Sequence, residues 1–376
     1  MVPNAKMIRM EQSADENPIT SAPQGAVEAN LDQTLRPHTW SEYVGQENIK
    51  ENLRVLIAAA RERNHAPEHT LLYGPPGLGK TTLAYLIAKE LGANVKVTAG
   101  PVIEKVGDLA AILTNLSPGD ILFIDEIHRM HKSIEEVLYP AMESGKLDII
   151  IGKGPSARTI ELGLPAFTLI GATTRIALIS SPLRSRFSGG VYQLEFYSNK
   201  EIERILERSA KLLEVKMDKE AMQEVARRAR QTPRTANYLL KRCRDVAQLE
   251  RSPITRAVAE KALAMIGIDV LGLTVSDRRM LEVLIDKFQG GPIGLKTLAA
   301  AAMEEEETIE GVYEPYLMQE GLLERTPRGR VATTRAYEHC GKMPNHARVF
   351  FSNELECKTI AESGKCNGCC SGQNNS

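Results

Sequence analysis

Apolar positions follow one rhythm up to about Tyr197 and another beyond it. In the first stretch, short apolar runs alternate with segments of helical period. Leu71 to Tyr73, Val95 to Thr98, Ile121 to Ile124, Thr168 to Ala172 and Val191 to Phe196 read as buried strands, and Ile49 to Arg63 as one of the helices between them. This alternation predicts an α/β fold, a parallel sheet covered by helices. Beyond Tyr197 the runs Glu201 to Leu213, Lys219 to Arg230, Thr235 to Leu249 and Thr255 to Met265 all have helical period, which predicts a small all-helical domain. After Gly267 to Leu273 come three more helical patterns, Asp277 to Phe288, Leu295 to Ala302 and Ile309 to Gln319. Two short runs follow, Leu322 to Arg325 and Arg330 to Thr333, around Thr326-Pro327-Arg328-Gly329. Three helices and a hairpin predict a winged helix-turn-helix. Residues 1 to about 34 are polar, contain three prolines and lack a period, so they read as a disordered leader. The expected divisions are 1–34, 35–198, 199–267, 268–341 and a tail, 342–376, with no internal repeat.

Composition narrows the class of partner. Lys plus Arg total 47 against 48 for Asp plus Glu, so a nucleic acid must be met by a local patch and not by overall charge. The apolar runs are too short to span a bilayer, and the first 30 residues hold no signal-like stretch, which predicts a cytoplasmic protein with no membrane partner. Five of the six cysteines lie from Cys340 onward, so no disulfide framework holds the main fold. Cys366, Cys369 and Cys370 have the spacing of half a zinc site, but no second such pair exists and the segment reads as a flexible tail.

Three stretches carry chemistry. Gly74-Pro75-Pro76-Gly77-Leu78-Gly79-Lys80-Thr81 is a complete GxxxxGK[ST] pattern between an apolar run and a helical segment, Thr82 to Leu91. Its glycines let backbone N–H groups close on phosphate oxygens at a helix N-terminus. Lys80 would then reach the β/γ-phosphates and the Thr81 hydroxyl would ligand Mg²⁺. About 40 residues on, the run Ile121 to Ile124 ends in Asp125-Glu126, carboxylates at the end of a strand where open α/β sheets bind ligands. Asp125 is suited to hold Mg²⁺ and Glu126 to activate water. A third run, Leu169 to Ala172, ends in Thr173-Thr174 and is followed by Arg184 and Arg186. A hydroxyl there suits γ-phosphate sensing, and an arginine suits charge neutralisation in the same subunit or a neighbour's; spacing does not choose between them.

Taken together, these segments resemble the AAA+ ATPases and, more specifically, the RuvB family of Holliday-junction branch-migration motors. Further stretches carry the likeness: Leu35-Arg36-Pro37, Tyr43-Val44-Gly45-Gln46, Gly107 to Leu116, Phe123 to Arg129, Leu138 to Glu143, Gly154 to Arg158, Gly171 to Arg175, Tyr313 to Leu317 and Arg325 to Thr333. The resemblance covers roughly Leu35 to Gly341. It implies a AAA+ large domain, a helical lid and a winged-helix DNA-binding domain, with ATP and Mg²⁺ as cofactors. It also implies that Leu35, Arg36, Val44 and Tyr197 surround the base, and that Gly77, Leu78, Gly79, Lys80, Thr81 and Thr82 hold phosphates and metal. Glu143, Ser144 and Gly145 join the nucleotide-contacting set. Asp125 and Glu126 become the hydrolytic pair, Thr174 the polar sensor, Arg186 the finger entering a neighbouring subunit's site and Arg234 the lid arginine.

The same resemblance implies a homo-hexamer around double-stranded DNA at four-way junctions, serving recombination and DNA repair, with RuvA docking on roughly residues 147–162 and RuvC as a further partner. Residues 325 to 335 hold Arg325, Arg328, Arg330 and Arg335 with no acid, a local basic edge. The likeness makes Arg325, Arg328 and Arg330 the expected DNA contacts. The chain departs from the family pattern at Glu306, where a basic residue is usual, at Ser188-Gly189-Gly190, which lengthens a turn near the finger, and at Ser144. A clamp-loader-like or remodelling ATPase and a slowly hydrolysing nucleotide switch are the alternatives.

Overall fold

A computed structural model of the chain describes residues 33–343 apart from 152–157. The leader and the tail with Cys357, Cys366, Cys369 and Cys370 lie outside the described residues. The large domain runs α1 (Glu47–Glu62), β1 (Thr70–Tyr73), α2 (Lys80–Leu91), β2 (Val95–Ala99), α3 (Val106–Thr114), β3 (Ile121–Asp125), α4 (Lys132–Ser144), β4 (Lys146–Ile151), β5 (Arg158–Gly163), β6 (Thr168–Thr173), α5 (Ser181–Ser185) and β7 (Val191–Gln193). Five strands form one parallel sheet in the order β2-β3-β6-β1-β7, and β4 pairs with β5 in a separate antiparallel hairpin.

The continuous apolar runs follow from burial on both sheet faces. Along β3, Ile121 and Phe123 face a core shared with α1 and α2, while Leu122 and Ile124 face a second core with Leu109 and Leu113 of α3 and Ile134 and Leu138 of α4. The first core continues into the lid: α6 (Asn199–Leu212), α7 (Lys219–Arg228), α8 (Pro233–Glu250) and α9 (Arg256–Met265) contribute Leu206, Val225, Leu239 and Leu263. Large domain and lid therefore share one apolar seam.

The winged helix has its own core, including Leu281, Leu284, Leu298, Leu317 and Leu322. It comprises α10 (Val275–Phe288), α11 (Leu295–Ala302), α12 (Glu306–Thr308), a π-turn over Ile309–Tyr313, α13 (Glu314–Gln319), the hairpin β8 (Leu323–Thr326) with β9 (Gly329–Ala332), and α14 (Thr334–His339). Among the described residues no helix is long and apolar enough to cross a membrane.

Two expected elements differ. The helix expected over Ile309 to Gln319 is present without a gap, but it widens to a π-turn over Ile309–Tyr313 before α13, where Pro315 has no N–H to offer the regular helical ladder. The strand expected over Val191 to Phe196 ends at Gln193. There the Gln46 side chain replaces strand pairing, donating to the Glu195 carbonyl at 2.7 Å and accepting from its N–H at 3.2 Å.

Candidate active site between the large domain and the lid

The phosphate loop joins β1 to α2 through Gly74, Gly77 and Gly79, all with positive φ (142°, 83° and 100°). A Cβ at Gly77 would lie 3.0 Å from Cβ of Arg234, and one at Gly79 would lie 2.9 Å from the Tyr43 hydroxyl, so the lid and the N-terminal arm both pack onto the loop. Lys80 is buried at the start of α2, its ammonium donating to the Gly74 and Pro75 carbonyls at 2.7 and 2.9 Å. Burial pulls its pKa below the ordinary lysine value, against the opposing pull of Asp125 and Glu126. The loop and the amine form a cradle of donors suited to a polyphosphate.

Above the loop lies a cleft of about 290 Å³ lined by Leu35, Arg36, Val44, Gly77, Gly79, Lys80, Thr81, Thr82, Asp125, Glu126, Tyr197 and Arg234. One cavity thus gathers residues from the N-terminal arm, the phosphate loop, β3 and the lid. Leu78 stands just behind it, fully buried. Its carbonyl is reached by the hydroxyls of Tyr43 and Tyr197 at 3.5 and 3.2 Å. Burial pushes the Tyr197 phenol up to about 12.

At the end of β3, Glu126 adopts a left-handed backbone, φ 46°, a rare state for a residue with a side chain and one that accumulates where function over-determines geometry. One of its carboxylate oxygens, Oε2, accepts from the Thr174 hydroxyl at 3.0 Å and lies 3.2 Å from Nδ1 of His128. His128 in turn lies 2.9 Å from the Thr173 hydroxyl, and burial holds its pKa below the usual histidine value despite the neighbouring Glu126. Glu126 is therefore held through Oε2, and the residue lines the cleft. The Asp125 carboxylate accepts the Glu126 N–H at 3.0 Å.

Arg186 is not part of this cavity. Its guanidinium sits over the Tyr139 ring at 4.4 Å, pairs with Glu143 at 3.0 Å and donates to the Pro182 carbonyl at 2.6 Å. Glu143, Ser144 and Gly145, at the end of α4, likewise do not line the cleft. The sequence grouped these residues with the nucleotide contacts; the fold places Arg186 and Glu143 together on a separate patch.

Sequence reasoning missed Tyr43, Arg208 and His128. Tyr43 lies in the family-like stretch Tyr43-Val44-Gly45-Gln46, so a signal for it was present. Arg208 read only as a helical position, yet its guanidinium clamps the Leu35 and Arg36 carbonyls at 2.8 and 3.0 Å and pairs with Glu42 at 2.9 Å. It thereby fixes the N-terminal arm against the lid.

On the winged helix the four arginines separate. Arg328 is exposed in the hairpin turn and Arg335 is exposed on α14, where it pairs with Glu320 at 3.3 Å. Arg325 is half-exposed and pairs with Glu310 at 2.9 Å. Arg330 is buried, with Glu314 at 2.6 Å and 2% exposed beneath it. Its guanidinium faces the domain, not the outer edge where the sequence had placed it, because α13 presents a buried carboxylate to β9.

Residues 35–193 match the RuvB P-loop domain of Holliday junction DNA helicases, 197–269 the RuvB AAA lid domain and 270–341 the RuvB C-terminal winged helix domain. The chain is 59% identical over 312 residues to the Holliday junction branch migration complex subunit RuvB of Chloroflexus aggregans, covering 83% of this chain and 89% of that protein. Its counterpart in Chloroflexus aurantiacus is 57% identical over the same span of 312 residues. The solved Thermotoga maritima RuvB Holliday junction branch migration motor superposes with a TM-score of 0.75 at 46% identity, covering 82% of this chain and 99% of that one. With three domains matched in order and more than half the aligned positions identical, the chain belongs to the bacterial RuvB family.

Proposed function

We propose that the chain hydrolyses ATP with Mg²⁺ and converts the cycle into branch migration of four-way DNA junctions, as a hexameric ring working with RuvA. The observation that carries this reading is the separation of one complete phosphate-handling cleft, with Lys80, Asp125 and Glu126, from a patch holding Arg186 outside it. The cleft holds Arg234 but not Arg186, and since an arginine finger can be supplied in trans, a neighbour's Arg186 completes the site in this reading. Successive subunits then depend on one another, which suits sequential firing around DNA.

In this reading Gly77, Leu78, Gly79, Lys80 and Thr82 bind phosphates, Thr81 and Asp125 hold Mg²⁺, and Leu35, Arg36, Val44 and Tyr197 surround the base. Bound Mg²⁺ neutralises charge on the β- and γ-phosphates. Glu126 takes the proton from the attacking water, Thr174 orients that carboxylate, and Arg234 reports the γ-phosphate from the lid. Glu143, Ser144 and Gly145 act beside Arg186 at the neighbour's nucleotide. The segment of roughly residues 147–162, which includes most of β4 and β5, is the RuvA dock; residues 152–157 lie outside the described residues. RuvC is a further partner and the cytoplasm is the working compartment. The divisions near 198, 267 and 341 then separate hydrolysis, sensing and DNA contact.

The deciding experiment is ATP-driven dissociation of a synthetic four-way junction by the purified protein, with and without RuvA, comparing the parent with Lys80→Ala and Arg186→Ala. Partner-stimulated movement lost in both variants supports the motor. Hydrolysis by the parent without movement under any partner condition moves the assignment to a remodelling ATPase, and absence of hydrolysis moves it to a nucleotide switch.

A further inference from the structure

Between α7 and α8 the chain makes a turn in which two consecutive non-glycine residues, Arg230 and Gln231, both have left-handed backbones, φ 52° and 53°. Such a pair persists only where surrounding contacts over-determine it. Those contacts point in two directions. On the cleft side, the Gln231 carbonyl accepts the Tyr197 N–H at 3.0 Å, and three residues after Gln231 the Arg234 N–H reaches the Gly77 carbonyl at 3.4 Å. On the other side, both side chains enter the winged helix. Arg230 donates through Nε to the Gly272 carbonyl at 3.0 Å, pairs with the fully buried Asp277, and lies over the Tyr316 ring at 4.7 Å. Gln319 of α13 donates to the Gln231 side chain at 2.5 Å.

The winged-helix partners are themselves fixed. Asp277 caps α10, accepting the Thr274 N–H at 2.7 Å, and the Tyr316 hydroxyl donates to the Leu271 carbonyl at 2.6 Å. A Cβ at Gly272 would lie 2.7 Å from the Arg228 carbonyl, so the two backbones are in close approach at this point. One turn thus touches a cleft wall, the phosphate loop and two helices of the winged helix.

We infer that Arg230, assisted by Gln231, is the positioning residue that couples the nucleotide state of the cleft to the angle of the winged helix. This rests on the reading of Arg234 as nucleotide reporter and of the winged helix as DNA contact. A shift of the lid about the phosphate loop moves the Arg230–Gln231 turn. The hold of Arg230, through Nε on the Gly272 carbonyl, Nη2 on Asp277 and its face on Tyr316, passes that shift to α10 and α13 instead of letting a flexible linker absorb it. Lysine can replace it only in part, since an ammonium has no planar fork to serve Gly272, Asp277 and the Tyr316 face together.

The test uses the full chain with Arg230→Ala and Arg230→Lys, neither of which touches the cleft lining. Two quantities are read: junction dissociated per ATP hydrolysed with RuvA present, and the ratio of duplex affinities with a non-hydrolysable ATP analogue and with ADP. Coupling between sites is reciprocal and spans roughly 5- to 150-fold. Arg230→Ala is expected to keep DNA-free hydrolysis within about twofold while both coupled quantities fall roughly tenfold toward independence, with Arg230→Lys intermediate. A purely structural role would lower stability without moving the affinity ratio. If Arg230→Ala keeps both quantities at parental values, the inference is overturned. If that variant does not fold, Gln319→Ala decides, since it removes the Gln231 contact without altering the strained turn: a smaller fall in both quantities supports the coupling and no change rejects it. A parent that hydrolyses ATP but moves no junction would instead overturn the motor reading, and the affinity ratio alone would then decide the coupling.

Discussion

The guanidinium of Arg186 lies over the ring of Tyr139, 4.4 Å from its centroid, and the ring is itself fixed from behind. The Tyr139 hydroxyl lies 2.9 Å from Ser180, whose hydroxyl donates to the buried Glu135 at 2.7 Å. In the proposed role of a neighbour's finger, an arginine so held would need little reorganisation. Arg186→Ala is expected to lower hydrolysis by about 10³- to 10⁵-fold, the range associated with arginine fingers. Mixing it with Glu126→Gln subunits should restore partial turnover, since each variant supplies what the other lacks at a shared interface. Phosphate release from the mixture above the sum of the two alone is the check. Tyr139→Leu should cost about fivefold in kcat with nucleotide affinity unchanged, in line with loss of about 1 kcal/mol of cation–π contact.

Glu126 accepts from Thr174 through one oxygen, which separates positioning from proton transfer. Glu126→Gln keeps the shape and removes the base, so hydrolysis should fall about 10²- to 10⁴-fold while binding of an ATP analogue stays within about twofold. Thr174→Val should cost less, roughly tenfold, because the carboxylate survives with its orientation loosened. Calorimetric binding run beside steady-state turnover tells the two apart. Equal losses of binding and turnover would place Glu126 in substrate binding.

Tyr197 links nucleotide cleft and alkaline stability. Its folded pKa is raised to about 12 by burial, above an ordinary value near 10. A raised acid binds its proton more tightly in the folded chain, so its contribution is complete below about pH 10 and is lost as pH rises toward 12. The slope there is up to about 1.4 kcal/mol per pH unit for one group. Denaturant unfolding of the parent between pH 9 and 12 should therefore steepen, and Tyr197→Phe should flatten the curve while lowering stability at pH 8 by loss of the hydroxyl's contacts. An unchanged slope in the variant would remove Tyr197 as the titrating group.

The lengthened turn at Ser188-Gly189-Gly190 is locked by backbone contact. Gly189 donates to the His69 carbonyl at 2.8 Å, and a Cβ there would meet the Glu68 carbonyl at 2.6 Å. Gly189→Ala should destabilise the large domain by about 1–3 kcal/mol through overpacking. A lower Tm with unaltered Arg186-dependent turnover at low temperature would show that this turn serves β1 and β7, not the finger; loss of turnover in a stable variant would show the reverse.

What could be read from the chain depended on whether the signal was local. The central strands β1, β3 and β6 were legible because each is an apolar run covered on both faces, and the phosphate loop because its glycines answer to backbone geometry within eight residues. Strands β2 and β7, read as buried too, lie at the sheet edges with Val97 and Val191 exposed. Arg208 was not, because its partners Leu35, Arg36 and Glu42 lie about 170 residues away in sequence. The end of β7 was missed for a similar reason: Gln46, on the far side of the phosphate loop, takes over its pairing. The π-turn just before Pro315 was local and available, since a proline within a helical period marks an irregularity there.

The wing arginines show the same limit and lead to a sharp prediction. Arg325 and Arg330 are direct cross-strand partners, two like charges on one face that would repel if left alone. Glu310 and Glu314 answer them, but unequally: the first pair is half-exposed, while Arg330 and Glu314 have side chains only 8% and 2% exposed. Charge counting along β8 and β9 cannot see this, because it depends on Glu314, a residue of α13 outside the hairpin, reaching Arg330. Arg330→Ala leaves a buried carboxylate unpaired, a loss of about 3–5 kcal/mol, so the winged helix should melt early. Arg328→Ala, in the exposed turn, should leave the melt unchanged and reduce the slope of log affinity against log salt by about 1 on any duplex sequence. Thermal melting and a salt series on both variants separate the roles. An Arg330→Ala protein as stable as the parent, with the salt slope reduced as for Arg328, would mean that the pair opens on DNA and that Arg330 is a phosphate contact after all.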